Sequence, residues 1–109
     1  MKPDIRMLLP AILMLALTTS RAQQFMNYTS TNGLPSDNVM GVAVDGPNQL
    51  WFGTQAGVAR LANSSWTLYT TANGVIDDYI NCIAVDALNQ VWVGTDYGIS
   101  RYNGSQWTS

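Results

Sequence analysis

Val42-Ala43-Val44-Asp45-Gly46-Pro47-Asn48-Gln49-Leu50-Trp51-Phe52-Gly53-Thr54 is answered 41 residues later by Ile83-Ala84-Val85-Asp86-Ala87-Leu88-Asn89-Gln90-Val91-Trp92-Val93-Gly94-Thr95. The correspondence continues outward on both sides. Tyr28 matches Tyr69, Asn32-Gly33 matches Asn73-Gly74, Gly57 matches Gly98, and Arg60 matches Arg101. Residues 25–65 laid on 66–106 share 16 identities in 41 positions, and most other pairs exchange like for like. A period near 40, with an aromatic, a Gly and β-rich segments in every unit, is the signature of a propeller array.

Within a unit the chain reads as short strands and tight turns. Trp66 and Leu68 alternate with Thr67 and Tyr69, the period-2 pattern of a half-covered strand, and Phe25 to Thr29 takes the equivalent place in the first unit. Asn32-Gly33 and Asn73-Gly74 tolerate positive φ and so allow a sharp turn, and Pro35 keeps its segment out of a sheet interior. Val42-Ala43-Val44 and Ile83-Ala84-Val85 are apolar without alternation, as expected of strands covered on both faces. Asp45 and Asp86 end those strands, where a carboxylate can accept from the amides of the next turn. Leu50 to Thr54 and Val91 to Thr95 return with the repeated Trp. A connection through Gly57 or Gly98 opens a third strand, and Asn63-Ser64-Ser65 or Asn103-Gly104-Ser105 turns into the next outer strand.

These patterns predict an all-β chain of β-propeller blades: two four-stranded antiparallel repeats of 41 residues, an incomplete propeller. The expected divisions are a signal peptide over 1–22, repeat one over 23–65, repeat two over 66–106, and the start of a further repeat or a latch strand over 107–109. The leader is read from Lys2 and Arg6 ahead of an 11-residue apolar run, Met7 to Leu17, and from the small residues Ser20 and Ala22 before a cleavage site. That run is too short for a membrane span, which takes roughly 20 apolar residues. Export to the periplasm or the exterior is therefore expected, with no membrane span in the mature chain.

Beyond residue 22 only Arg60 and Arg101 are basic, against six aspartates. An acidic surface repels phosphate backbones, so nucleic acid is not an expected partner. The single Cys82 cannot form an internal disulfide, and in its apolar strand it is expected to be a small buried hydrophobe.

Asn32-Gly33-Leu34-Pro35-Ser36-Asp37-Asn38-Val39, then Val42-Ala43-Val44-Asp45, Leu50-Trp51-Phe52-Gly53-Thr54, Gly57-Val58 and Arg60 resemble the two-component regulator propeller repeat. The second unit is similar to it through Val91 to Thr95, Tyr97-Gly98-Ile99 and Arg101-Tyr102, although Val75-Ile76 stands where Leu-Pro is usual. The resemblance covers nearly all of residues 25–109. It implies a periplasmic sensor propeller, of the kind placed ahead of a membrane helix and a histidine kinase or regulator module and thought to sense oligosaccharides.

Asp45, Trp51, Gly53, Gly57 and Arg60, with Asp86, Trp92, Gly94, Gly98 and Arg101, are read as structural repeat positions. The tryptophans are expected to pack blade on blade, the aspartates to hold turns rather than metal, and the arginines to lie over an aromatic face or meet an Asp. Ligand contacts are expected from loops carried by the rigid blades: Asp37, Asp77, Asp78 and Tyr79 in one set, Gln55, Asp96 and Tyr97 in the other. Asp77-Asp78 is the one adjacent carboxylate pair, and neighbours in a polar loop point different ways, unlike an acid and base placed around a substrate. With no His or Glu, and no Lys beyond residue 22, the chain is read as non-catalytic, without cofactor or metal.

Propellers close with about four to eight blades. A Trp-sized side chain of roughly 150–250 Å², left wet on an open blade face, forfeits at most ~4–6 kcal/mol at about 25 cal/mol per Å². Further blades are thus the expected partners, supplied by a longer chain or by other copies. The favoured reading is a segment of a longer sensor. The alternative is a self-contained, lectin-like binding module that closes its ring by oligomerisation.

Overall fold

Each repeat bends the chain back on itself at an Asp-anchored turn and at an Asn-containing hairpin, and those bends decide the sheet order. The computed structural model describes residues 25–109, and the expected leader over 1–22 lies outside them. The first sheet runs β1 (Val39–Val44), β2 (Leu50–Thr54), β3 (Gly57–Ala62), β4 (Ser65–Tyr69); the second runs β5 (Cys82–Val85), β6 (Val91–Thr95), β7 (Gly98–Tyr102), β8 (Trp107–Thr108). In both, sequential neighbours pair antiparallel, so each sheet is a four-stranded meander. The described residues are all-β, with two open blade-like sheets.

The turns explain themselves locally. Asp45 Oδ1 accepts the Gln49 N–H at 2.8 Å, and Asp86 Oδ1 accepts those of Leu88 and Gln90 at 2.9 Å. Asn48 and Asn89 supply the left-handed residue, at φ 66° and 60°, a conformation Asn tolerates better than most. Between β3 and β4, Asn63 and Ser64 both take positive φ, which matches a turn to the twist of the strands it joins. Ahead of β1 and β5, where the sequence predicts only a loop, the chain makes a single 3-10 turn, Ser30–Asn32 and Thr71–Asn73. Thr70 caps the second turn through its hydroxyl, and Asn73 Oδ1 accepts the Thr70 N–H at 2.9 Å. Gly74, at φ 105°, then reverses the chain.

The two sheets stack front to back. Trp51, Val58 and Tyr69 of the first pack against Ile80, Val91, Val93, Tyr102 and Trp107 of the second segment, with Val75 of the linking loop between them. Backbone and side-chain bonds stitch the junction: Ile80 N–H reaches Thr54 O at 2.9 Å, and Gly46 N–H reaches Asn89 Oδ1 at 2.8 Å. Gly53 is required at this contact, since a Cβ there would lie 2.7 Å from Ile80 Cγ2. A second cluster covers part of the other face of the first sheet: Leu34, Phe52 and Ala59, with Tyr28, Leu50, Leu61 and Trp66 against them.

Three expectations change. Phe25 to Thr29 is not a strand; its counterpart Ser65–Tyr69 pairs with the strand before it, and no described strand precedes Phe25. Sheets therefore lag the sequence repeats by one strand, and Trp107–Thr108 likewise lies beside β7. Strands β1 and β5 are not covered on both faces: Val42, Val44 and Ala84 are exposed. Cys82 is also exposed, because it faces away from the junction with no described sheet over it.

Candidate functional site

Antiparallel pairing brings the end of β2, the start of β3 and the end of β4 to one level, since Thr54 pairs with Gly57 and Val58 with Tyr69. The linking loop leaves β4 at that level and re-enters the second sheet beside it. All seven loop positions singled out from the sequence lie at this end. Gln55 sits in the β2–β3 turn, Asp96 and Tyr97 in the β6–β7 turn, Asp37 ahead of β1, and Asp77, Asp78 and Tyr79 in the linking loop. The opposite end carries the Asp45–Gln49 and Asp86–Gln90 turns.

One contact ties the two sets across the blade junction: Gln55 Nε2 donates to the Tyr79 hydroxyl at 2.6 Å. The Gln55 N–H itself bonds Asn38 O at 3.2 Å. Asn81 Nδ2 donates to Asp96 Oδ1 at 2.8 Å, a partner that the repeat does not reveal because Met40 stands at the matching place. Tyr97, 76 % exposed, projects its ring beyond the turn whose backbone Thr95 Oγ1 holds at 3.1 Å. Asp37 and Asp78 occupy equivalent places and hold their own loops: they accept the N–H of Ser30 at 2.6 Å and of Thr71 at 2.8 Å. Asp77 is half-buried in the linking loop.

Four of the six aspartates beyond residue 22 lie at this end. Arg60 and Arg101 lie elsewhere, on the sheet faces, with guanidinium carbons 5.4 Å from the Trp51 ring and 5.5 Å from the Trp92 ring. The loop end is therefore acidic, rich in amide and phenol donors, and lined by two tyrosines. Such a surface suits a neutral polyhydroxylated or cationic ligand better than an anion.

The repeat positions form a framework rather than a site. Asp45 Oδ2 accepts the Trp51 indole N–H at 2.9 Å, and Asp86 Oδ2 accepts that of Trp92 at 2.9 Å. Hydrogen bonding from Trp92, then from the Gln90 amide, holds the Asp86 carboxyl below its usual range. The signal for this pair was visible: in both repeats an Asp stands six residues before the Trp. Arg60 stacks on Trp51 and Tyr69 at the blade junction, its Nε buried without a hydrogen-bond partner among the described residues. Burial, and then the Tyr102 hydroxyl, push Tyr69 up to about 12.

Among the described residues no three His, Cys, Asp or Glu side chains come together as a metal cage would need. No helix among them is long and apolar enough to cross a membrane. No curated protein matches the chain significantly. The two component regulator propeller family matches it twice, over residues 33–56 and 74–97, one match in each repeat and each running from the Asn-Gly turn through the Trp strand to the turn after it. Each of the two repeats thus contains one segment that matches the two component regulator propeller family.

Proposed function

We propose that this chain is an exported, non-catalytic sensing segment of a two-component regulatory system, which takes an extracellular small ligand such as an oligosaccharide at the loop end of its blades. The observation that carries the reading is the Gln55–Tyr79 bond, which joins loops of two repeats into one acidic, tyrosine-bearing surface. Sugars are bound by stacking on aromatic rings and by amide and carboxylate partners for their hydroxyls, and Tyr79, Tyr97, Gln55, Asn81 and Asp96 offer that set. The match of both repeats to the two component regulator propeller family supports the regulatory context.

Calorimetric titration with a panel of defined neutral oligosaccharides tests this, using Tyr79→Ala and Tyr97→Ala. Asp37 and Asp78 are poor probes, since their carboxylates hold the loops themselves. Binding lost in both tyrosine variants, with the fold unchanged by circular dichroism, is the expected result. Binding that survives both would move the site off this end. Export has its own test: the mature chain recovered outside the inner membrane should begin after Ala22.

A further inference from the structure

We infer that copies of this chain associate head to tail, the Trp92 face of the second sheet on one copy seating on the Leu50–Leu61 face of the first sheet on another. The inference rests on the reading of the sheets as propeller blades, and not on any ligand.

The internal junction is the template. There Ala43, Trp51, Gly53 and Val58 of the first sheet meet Ile83, Val85, Val91, Val93 and Tyr102 of the second. Adding 41 to the first group gives Ala84, Trp92, Gly94 and Ile99, one open face of the second sheet. Subtracting 41 from the second group gives Val42, Val44, Leu50, Phe52 and Leu61, the far face of the first sheet. Each end of the chain thus displays the partner surface of the other.

Both faces are apolar and incompletely covered. Trp92 is 38 % exposed and Ile99 60 %, while on the other side Val42 is 57 % and Val44 54 % exposed. Contiguous apolar surface of this kind marks a contact site. A cavity of about 400 Å³ opens beside Leu50, Leu61, Trp66 and Tyr28. Those residues match Val91, Tyr102, Trp107 and Tyr69, and in the internal junction the ring of Trp51 stacks on Tyr69 at 5.8 Å and meets Tyr102 at 5.7 Å. The cavity is therefore placed where the Trp92 indole of a second copy would sit.

The polar contacts repeat as well. The Gly46 N–H to Asn89 Oδ1 bond of the internal junction becomes, at the same offset, an Ala87 N–H facing Asn48. Asn48 shares the left-handed backbone of Asn89 and lines the same cavity. The Gln55–Tyr79 pair becomes Asp96 facing Asn38, again acceptor against donor. Where Gly41 admits the Ile83 methyl internally, Cys82 would meet the smaller Val42. Such a contact joins different surfaces and so closes into a ring or runs on as a filament. With the two described sheets from each copy as blades, two to four copies reach the usual closure of about four to eight blades.

The test is solution mass of the purified chain by light scattering, with two variants. Ile99→Glu spoils one face and Val44→Glu the other; both side chains are more than half exposed in the single chain, so each variant is expected to keep its fold, which circular dichroism checks. The parent chain is expected at a mass of two to four chains or as longer filaments, with the Cys82 thiol shielded from alkylation. Each variant alone is expected as a monomer with Cys82 reactive. Mixed together they should form one-to-one dimers and nothing larger, because each retains one sound face. A parent chain that stays monomeric overturns the inference. So does Val44→Glu associating alone, which would mean Trp92 faces pairing with each other, and so does a mixture that stays monomeric. Oligosaccharide titration of the monomeric variants reads the proposed ligand site separately, so the two readings fail independently.

Discussion

Trp51 and Trp92 are the same residue in the same local setting, and among the described residues only Trp51 has a second sheet over it. Each donates its indole N–H to an Asp at 2.9 Å and carries an Arg over its ring at 5.4 or 5.5 Å. Trp51 is 2 % exposed and Trp92 38 %. Replacing either by Ala removes the Asp bond and the cation–π contact alike, so those losses cancel in the comparison. What remains is the difference in burial, together with the Tyr69 and Tyr102 ring contacts that accompany it at Trp51. On a side chain of up to about 250 Å² that difference is about 90 Å², or ~2 kcal/mol at about 25 cal/mol per Å². Trp51→Ala is expected to cost about 3–5 kcal/mol, the usual range for a buried Trp, and Trp92→Ala about 2 kcal/mol less. Urea unfolding followed by far-ultraviolet circular dichroism measures both, with the chain dilute enough to be monomeric and midpoints compared at a common slope. Equal costs would refute the reasoning, since they would mean the second sheet adds nothing to the burial of Trp51.

The glycines give a parallel contrast. Gly53→Ala places a Cβ 2.7 Å from Ile80 Cγ2 inside the junction and should destabilise by ~1–3 kcal/mol, whereas Gly94→Ala meets only the exposed Cys82 Sγ and should be tolerated in the monomer. Thermal melts of the two variants decide it. Asp86 has a lowered pKa, so the stability it contributes is present above its ordinary value of 3.8 and is lost as pH falls through the lower folded value. Asp86→Asn should flatten that acid limb, with Trp92 emission as the local readout. Tyr69 is shifted the other way: its neutral form is favoured, so its contribution is whole below 10.0 and is lost as pH rises through about 12. Tyr69→Phe should weaken the alkaline dependence of the urea midpoint between those values, and an unchanged dependence would assign it to another group.

Much of the fold is legible in the sequence alone, and the reasons are local. Asp45 with Asn48, Asn63 with Ser64, and Gly57 each specify a turn by their own backbone and side-chain preferences. The 41-residue offset then says that whatever the first unit does the second does too. The loop end was legible for the same reason: turn residues between short antiparallel strands must gather at the strand ends. The 3-10 turns leave no such signal although Thr29 to Gly33 and Thr70 to Gly74 spell them, because one capped turn carries no hydrophobic period.

Other features depended on contacts between units. Hydropathy marked Val42, Val44, Ala84 and Cys82 as interior, yet a strand's apolar content says only that its face can be covered, not that anything covers it. The outer strand of each sheet was assigned by pairing, since Trp66 and Trp107 open a repeat in sequence but hydrogen-bond to the strand before them. The Gln55–Tyr79 contact spans 24 residues and arises only when one sheet stacks on the next. Residue types and spacings therefore settle the turns, the strands and the repeat, which are matters of near neighbours. Which tryptophan is buried, which thiol is open and which loops meet follow from the stacking of the sheets, because burial belongs to pairs of surfaces and not to a residue alone.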